Sequence, residues 1–437
     1  MASTYLTRTF QSGGNRKKWT MSMWVKRSGL GSDQKLFQTY VSTYTHSPFD
    51  SSDRFQFQDG NGGNKVTSMK FRDTSAWYHI VIAIDTDLAT ADDRYKIYVN
   101  GERITAFDTS TNPSQGYEGE WNKAQLMNIG RHSAGTGYFD GLMSHINFCD
   151  GYQYQASDFG ETDATTGEWK IKTSPSVSYG TTGFFILKDG NTVTDSSSNS
   201  NTWTANGTLT KTEDCPSNVF ATISNILGSD QIGSTVSFSN GNTVAEDPNG
   251  SASGINPSFI STLGMPSKGK WYCEVQPSSF STGSGHSIGI FRSKGNIRPS
   301  SFSSDKIRYI FADTAYYIIK YGSNDQTGLT SVSAGQTVGL ALDLDNGTFQ
   351  YYVNGSARAN QLTGINSAND GYDYFFLMDL ESSSSGRYGK CSFNFGNGAF
   401  GSTQLTGTTY QDSNGQGIFK YQPPTNFLAL CTKNLNV

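Results

Sequence analysis

The chain has 437 residues, with 33 Lys and Arg against 37 Asp and Glu and a net charge of −4. Charged residues are 16% of the total, aromatics 13%, and Gly numbers 48. That composition excludes a highly charged disordered chain, offers no basic stripe for nucleic acid, and at this length predicts more than one hydrophobic core.

No apolar stretch approaches the ~20 residues of a membrane helix, so no membrane insertion is expected. The start, Met1-Ala2-Ser3-Thr4-Tyr5, lacks a charged region followed by an apolar core, so no Sec-type leader is expected either. Arg16-Lys17-Lys18 is the densest basic cluster and reads as a solvated turn before a strand. The five cysteines, Cys149, Cys215, Cys273, Cys391 and Cys431, are odd in number and widely spaced. They make neither a disulfide framework nor a zinc site and are expected to be free thiols, as in a reducing cytoplasm.

Along the first half, runs with period-two alternation predict half-buried strands: Trp19 to Val25, Arg54 to Gln58, Trp77 to Ile84 and Tyr95 to Val99. Turn punctuation separates them at Asp59-Gly60, Asn100-Gly101, Asp140-Gly141 and Asp150-Gly151. A last strand follows at Phe184 to Leu187, then a polar loop ending in Trp203. Between the halves, Asn218 to Leu227 places Val219, Phe220, Ile223, Ile226 and Leu227 at helical spacing after Pro216 and a capping Ser217, which predicts a short linker helix. The second half repeats the β pattern at Lys270 to Val275, Ser287 to Phe291, Val338 to Leu344, Tyr374 to Leu377 and Cys391 to Phe395. The serine tract Glu381 to Gly386 reads as a loop, and Tyr421 to Leu430 as an extended tail closing on the second domain.

One phrase occurs twice: Ile97-Tyr98-Val99-Asn100-Gly101 and Tyr351-Tyr352-Val353-Asn354-Gly355. An aromatic and β-branched run that stops at Asn-Gly predicts a hairpin with a two-residue type I′ turn. The fold class is therefore all-β, with two tandem antiparallel β-sandwiches. Expected boundaries are 1–211 for the first, 212–228 for the helical linker and 229–437 for the second.

The residues Trp77 to Val81, Tyr95 to Gly101, Met127-Asn128-Ile129-Gly130-Arg131 and Tyr138 to Ser144 resemble, in that order, a laminin-G-like, concanavalin-type jelly roll. Gly269 to Val275, Val338 to Thr348 and Tyr351 to Gly355 resemble a SPRY domain. The combination is similar to hypothetical virion proteins of tailed bacteriophages, marine ones in particular, through Tyr5 to Thr9, Trp24 to Ser28, Ser217 to Thr222 and the tail from Pro423 to Leu435. This resemblance implies a virion surface location, assembly in the host cytoplasm, other virion proteins as partners, and a homo-oligomer, with a trimer favoured. No coiled-coil heptads specify that trimer.

Concanavalin-type folds include glycoside hydrolases, which need two carboxylates flanking the scissile bond. The nearest pairs, Glu118 with Glu120 and Glu161 with Asp163, read as solvated loop acids. No metalloprotease motif or phosphate loop is present. Of the five histidines, His79 and His145 read as packed positions, and His132 and His286 as loop residues able to touch a ligand. No catalytic residue is assigned, and the protein is expected not to be an enzyme. Laminin-G-like domains often hold calcium through carboxylate and carbonyl oxygens. Asp87, Asp92, Asp93 and Asp140 are available for it, but no spaced ligand loop singles them out, so no metal or other cofactor is assigned.

The expected function is binding, to a host surface glycan or receptor, as a fibre, spike or decoration. Aromatic faces stack on sugar rings, and loops on a rigid sandwich carry function. The candidates are Tyr117, Trp121, Tyr138 and Tyr152 in the first domain, and Tyr316, Tyr317, Tyr372 and Tyr374 in the second. Two other readings stand beside it: a purely architectural virion protein that docks other virion proteins, and a polysaccharide depolymerase using Glu118, Glu120 or Glu161.

Overall fold

The computed structural model describes residues 4–39, 45–188, 192–228, 236–248, 257–281, 285–294, 304–311, 316–365, 371–380 and 388–435. The serine tract 381–386 lies outside them. The chain divides into two compact units, Met1–Thr210 with Cys215–Ser217, and Lys211–Asp214 with Asn218–Val437. Nearly all regular structure is β.

In the first unit an eight-stranded antiparallel sheet runs in the order Phe107–Thr111, Gly63–Lys70, Arg54–Asp59, Thr45–Phe49, Gln34–Thr39, Leu126–Ile129, Tyr5–Thr9, Thr204–Asn206. A six-stranded sheet faces it: Phe184–Ile186, Gly141–Asp150, Lys18–Arg27, Tyr78–Asp85, Tyr95–Val99, Glu102–Arg103. Alternation sends Leu6, Phe37, Phe55, Phe57 and Met127 inward from the first and Trp19, Met21, Ile80, Ile82, Ile97 and Phe148 inward from the second, forming one core. Arg27 is buried at its margin. Its guanidinium meets Asp53 at 3.1 Å, donates to the Phe71 carbonyl and lies 4.4 Å over the Phe49 ring.

The second unit also has two sheets. One has seven strands: Ile223–Gly228, Ser258–Ser261, Asp373–Asp379, Ser287–Ser293, Lys306–Ile310, Tyr317–Lys320, Ser323–Gln326. The other runs Ser237–Ser239, Val244–Asp247, Gly389–Asn394, Lys270–Phe280, Val338–Asp343, Thr348–Val353, Ser356–Leu362, with Leu428–Ala429 added parallel to Lys270–Phe280. Trp271, Cys273, Val275, Leu340 and Phe393 pack against Ile288, Ile290, Ile307, Phe376 and Met378.

The expected linker helix is corrected. Ile223–Gly228 is a strand paired with Ser258–Ser261, and Phe220 bridges to Cys431 while the Ala221 N–H donates to the Leu430 carbonyl. The segment is rich in β-branched residues, and long-range partners for its backbone outweigh its helical spacing. From Asn218 onward it is part of the second unit. The tail does close on that unit, as expected. All five cysteines are free, and burial pushes the Cys149, Cys273 and Cys391 thiols upward.

The repeated hairpin forms the same turn twice. Asn100 and Gly101 have φ of 47° and 89°, and Asn354 and Gly355 have 49° and 80°. Each Asn also clasps the preceding strand, its N–H donating to the His79 or Thr337 carbonyl and its Oδ1 accepting the N–H of the same residue. Each Gly lies under an aromatic ring. A Cβ on Gly101 would stand 2.5 Å from Trp169, and one on Gly355 would stand 2.6 Å from Tyr421.

Those rings belong to segments that cover the outer face of a sheet. In the first unit the hairpin Gly160–Thr162 and Trp169–Ile171 brings Trp169 parallel to the His79 ring, which stacks on Trp24 at 4.7 Å. The indole N–H donates to His79 Nδ1, so the other ring nitrogen carries the proton and donates to Ser22 Oγ at 2.9 Å. Burial pushes His79 down to about 3, and the ring stays neutral. In the second unit Phe220, Phe419, Ala429 and Cys431 cover Tyr272 and Ala341. There Glu274 accepts the Lys420 and Tyr421 N–H groups at 2.9 and 2.8 Å and the Asn394 amide at 3.0 Å.

Gly151 has φ of 83° with nothing within 4 Å of its missing Cβ, so Gly151→Ala costs about 1 kcal/mol. Gly101→Ala adds the collision with Trp169 and costs about 1–2 kcal/mol more, read by urea unfolding of the two variants. Burial pushes Glu274 up to about 7, with Lys420 and its donors opposing. The native state therefore binds more protons than the unfolded chain between about pH 4.5 and 7, and stability falls as pH rises through that window, by at most about 3 kcal/mol. Glu274→Gln flattens the slope in unfolding measured at pH 5, 6, 7 and 8; an unchanged slope counts against this assignment.

Candidate functional site

The outer face of the eight-stranded sheet carries an uncharged polar row. Strand register sets these residues side by side: Thr204, Thr7, Asn128, Gln38, His46, Gln58, Asn64, Thr111. Each stands next to inward residues such as Leu6, Met127, Phe37 and Phe57, so the pleat sends its side chain to the opposite face. A bulge between Lys35 and Phe37 turns both Leu36 and Phe37 to the core and leaves Lys35 and Gln38 on this face.

Hydrogen bonds link the row. The Gln56 amide donates to Asn64 Oδ1 at 2.9 Å and to Gln58 Oε1 at 3.4 Å. The Ser133 N–H donates to Gln38 Oε1 at 2.9 Å, which seats the 131–137 loop on the middle of the row. Gln56, Gln58 and Asn64 remain half-exposed beside it. Burial and the Lys35 ammonium push His46 down to about 4, so its ring is a neutral donor and acceptor. Asn128 is buried, and its amide nitrogen has no partner among the described residues.

At one end of the row is an aromatic stack. The Arg131 guanidinium lies 3.4 Å over the Tyr5 ring and donates from Nε to Asn128 Oδ1. Tyr138 packs against Tyr5 at 6.2 Å. Gln38, His46 and Asn128 are buried, so the half-exposed amides Gln56, Gln58 and Asn64, which donate and accept, are the part of the row suited to a ligand rich in hydroxyls.

The structure separates the aromatic candidates. Tyr138 belongs to this stack. Tyr152 is 43% exposed and stacks on Tyr154 at 5.6 Å, on the covering segment of the other sheet. Tyr117 is half-buried, with its hydroxyl donating to the Asp59 carbonyl. Tyr316 and Tyr317 are half-buried at the start of Tyr317–Lys320. Tyr372 is half-buried between two cations, Arg292 at 4.5 Å and Lys294 at 4.4 Å from its ring centroid.

Trp121 and Tyr374 are corrected. Trp121 is fully buried against Phe37, Trp19 and Phe57. The buried Asp59 carboxylate accepts the Glu120 N–H at 2.7 Å and, with Gly119 tucked against it, draws the loop inward. Burial raises Asp59 to about 6, and its second oxygen takes the Tyr95 hydroxyl. Tyr374 is the first inward residue of Asp373–Asp379 and is 1% exposed. His286 is also no ligand residue: it is buried, with Nε2 2.9 Å from the Tyr388 carbonyl oxygen. His132 stays at the surface, where Nδ1 accepts the Ala134 N–H.

The loop acids are committed elsewhere. Glu118 and Glu120 share Arg16, at 3.3 and 3.6 Å. Asp163 pairs with Lys170, and that ammonium with the Thr165 and Thr166 N–H groups holds it well below the usual carboxylate range. Asp87 faces Lys17, Asp92 takes the Asn112 amide, Asp93 faces Arg103, and Asp140 is half-buried near Gln34. The four acids offered for calcium do not converge, and no group of three or more His, Cys, Asp or Glu suited to a metal occurs among the described residues.

The row was missed because it exists only in register. The available signal was Gln and Asn at outward positions, as in Gln56-x-Gln58, where a solvated sheet more often carries Lys, Glu or Thr. Substitution separates the buried aromatics from the exposed ones: Trp121→Ala costs about 3–5 kcal/mol of stability, while Tyr152→Ala stays within about 0.5 kcal/mol, both read by chemical denaturation.

Residues 2–153 match the family described as the concanavalin A-like lectin/glucanases superfamily. No curated protein matches the chain. Among solved structures it is similar to the SPRY domain of human HERC1, at 13% identity, TM-score 0.31, over 39% of this chain and 96% of that one. The PSpry domain of TRIM65 gives 13%, 0.30, 40% and 88%. Stonustoxin gives 16% and 0.28, over 40% of this chain and 27% of its own length. The topology shows an all-β architecture of paired antiparallel sheets, and the family match over residues 2–153 supports a concanavalin-like fold for the first unit.

Proposed function

We propose that the protein is a non-enzymatic glycan-binding protein carried on the surface of a bacteriophage virion, as a fibre, spike or decoration. The observation that carries the binding role is the uncharged amide row with the Tyr5–Tyr138–Arg131 stack at its end. The lectin-like match over residues 2–153 is compatible with it. The virion setting rests on the sequence likeness to phage proteins, and with it come other virion proteins as partners, a homo-oligomer, and release to the outside by host lysis.

Two arrangements weigh against the other readings. A depolymerase needs a carboxyl kept protonated beside a second carboxylate and open to substrate. Glu118 and Glu120 are tied to Arg16, and Asp59, which burial does raise, is shut inside the core. A purely architectural role calls for a large apolar patch. Met69, Tyr152, Ile226 and Tyr388 are the exposed large hydrophobics among the described residues, and they sit on separate elements.

The test is binding of the purified chain to a broad neutral glycan array and to host cells with and without periodate treatment. Binding that periodate abolishes is expected. Gln58→Ala with Asn64→Ala should weaken it about tenfold, since two neutral hydrogen bonds are lost, with the melting temperature unchanged. Absence of binding to both array and cells refutes the glycan reading. Reducing-end release from host polysaccharide that Glu118→Gln, Glu120→Gln or Glu161→Gln abolishes would establish the depolymerase.

A further inference from the structure

On the second unit two cations, Arg292 and Lys294, meet around one tyrosine ring. Arg292, near the end of Ser287–Ser293, lies between two tyrosines, its guanidinium carbon 3.8 Å from the Tyr321 ring centroid and 4.5 Å from that of Tyr372. Its Nε meets Asp305 Oδ1 at 3.3 Å, and its backbone N–H donates to the Asp305 carbonyl. The two terminal nitrogens have no hydrogen-bond partner among the described residues. Two residues on, Lys294 is exposed and places its ammonium 4.4 Å from the same Tyr372 ring. Two cations thus converge on one ring opposite one carboxylate.

Holding like charges together is unfavourable unless something of opposite sign completes the site. The two rings and Asp305 fix the guanidinium plane, so its outer edge, the two terminal nitrogens, loses little entropy on meeting a partner. That edge matches a carboxylate or a sulfate with two parallel N–H donors. Tyr321 reaches this position through a left-handed backbone, φ 51°, at the turn between Tyr317–Lys320 and Ser323–Gln326. A non-glycine residue held there is strained and persists where the surroundings fix it.

We propose that Arg292 and Lys294, framed by Tyr321 and Tyr372, form a binding site for the acidic groups of an anionic polysaccharide, a polyuronate or a sulfated glycan. It differs from the neutral amide row in unit, residues and ligand charge. An acidic peptide is the competing occupant. The polysaccharide is favoured because none of the exposed large hydrophobics of the described residues belongs to this cluster, so a peptide would find charge and hydroxyls but no apolar seat.

The full chain is titrated with fluorescein-labelled polyuronate oligosaccharide, dextran sulfate, neutral dextran and poly-glutamate, at low and at physiological ionic strength. Binding of polyuronate or dextran sulfate that weakens with salt is expected. Arg292→Gln should lose about tenfold or more in affinity, Lys294→Gln about threefold, and Arg292→Lys should recover part of the loss. Lys294 is exposed, so its variant tests the site even where Arg292→Gln loosens the turn. The proposal is overturned by an Arg292→Gln, Lys294→Gln double variant that binds as the parent does, by no binding of either anionic polymer, or by poly-glutamate binding as tightly as both. Neutral-glycan binding lost in the Gln58 and Asn64 variants but kept in Arg292→Gln separates the failure of one site from that of the other.

Discussion

Each unit carries a type I′ turn closed under an aromatic ring, and the seating of one covering segment depends on it. Asn100-Gly101 and Asn354-Gly355 set the register of the hairpin at one edge of a sheet, and the Asn side chain extends that register to the preceding strand or its start. The Gly then supplies the space in which Trp169 or Tyr421 lies. A turn residue thereby fixes where the covering segment lands, and the covering segment decides which sheet face is dry. In the first unit the six-stranded sheet is covered, and the eight-stranded sheet presents only the part of its amide row around Gln56, Gln58 and Asn64, beyond the 131–137 loop.

Buried polar groups do a second kind of work. Glu274 is a poor tenant of an apolar face, yet it accepts two consecutive backbone N–H groups that would otherwise be unsatisfied where the tail turns onto the sheet. Asp379 plays the same part among cations. Burial alone would raise it, but Lys306 and Arg308, at 3.0 and 3.2 Å, hold it below the usual carboxylate range. Such groups add little net stability compared with a hydrophobic replacement but penalise every misregistered arrangement that strands them. In sheets whose strands differ little in length and pattern, that penalty selects one pairing.

Local signals were legible in the sequence. Both hairpins, the strands around Trp19, Tyr95, Lys270 and Val338, and the closing tail follow from alternation and turn chemistry. What failed needed partners from far along the chain. Asn218 to Leu227 has helical spacing, but Leu430 and Ser261 supply its hydrogen bonds. Trp121 looks like a loop residue among Gly and Glu until Asp59, at the end of another strand of the same sheet, is seen holding that loop. The amide row spans eight strands, and no window of sequence contains more than a fraction of it. Tyr372 was singled out as an aromatic, whereas its neighbours Arg292 and Lys294 give it its chemistry.

Each unit is fastened by its own extremities. Thr204–Asn206 lies antiparallel beside Tyr5–Thr9, and Phe220 and Ala221 meet Cys431 and Leu430. A module whose first and last residues are neighbours can be excised, inserted into a loop of another protein, or reopened elsewhere as a circular permutant without displacing the host's chain ends. The same feature delays folding, because closure requires residues some two hundred positions apart and so waits on their synthesis. The first module is able to complete itself while the second is still being made.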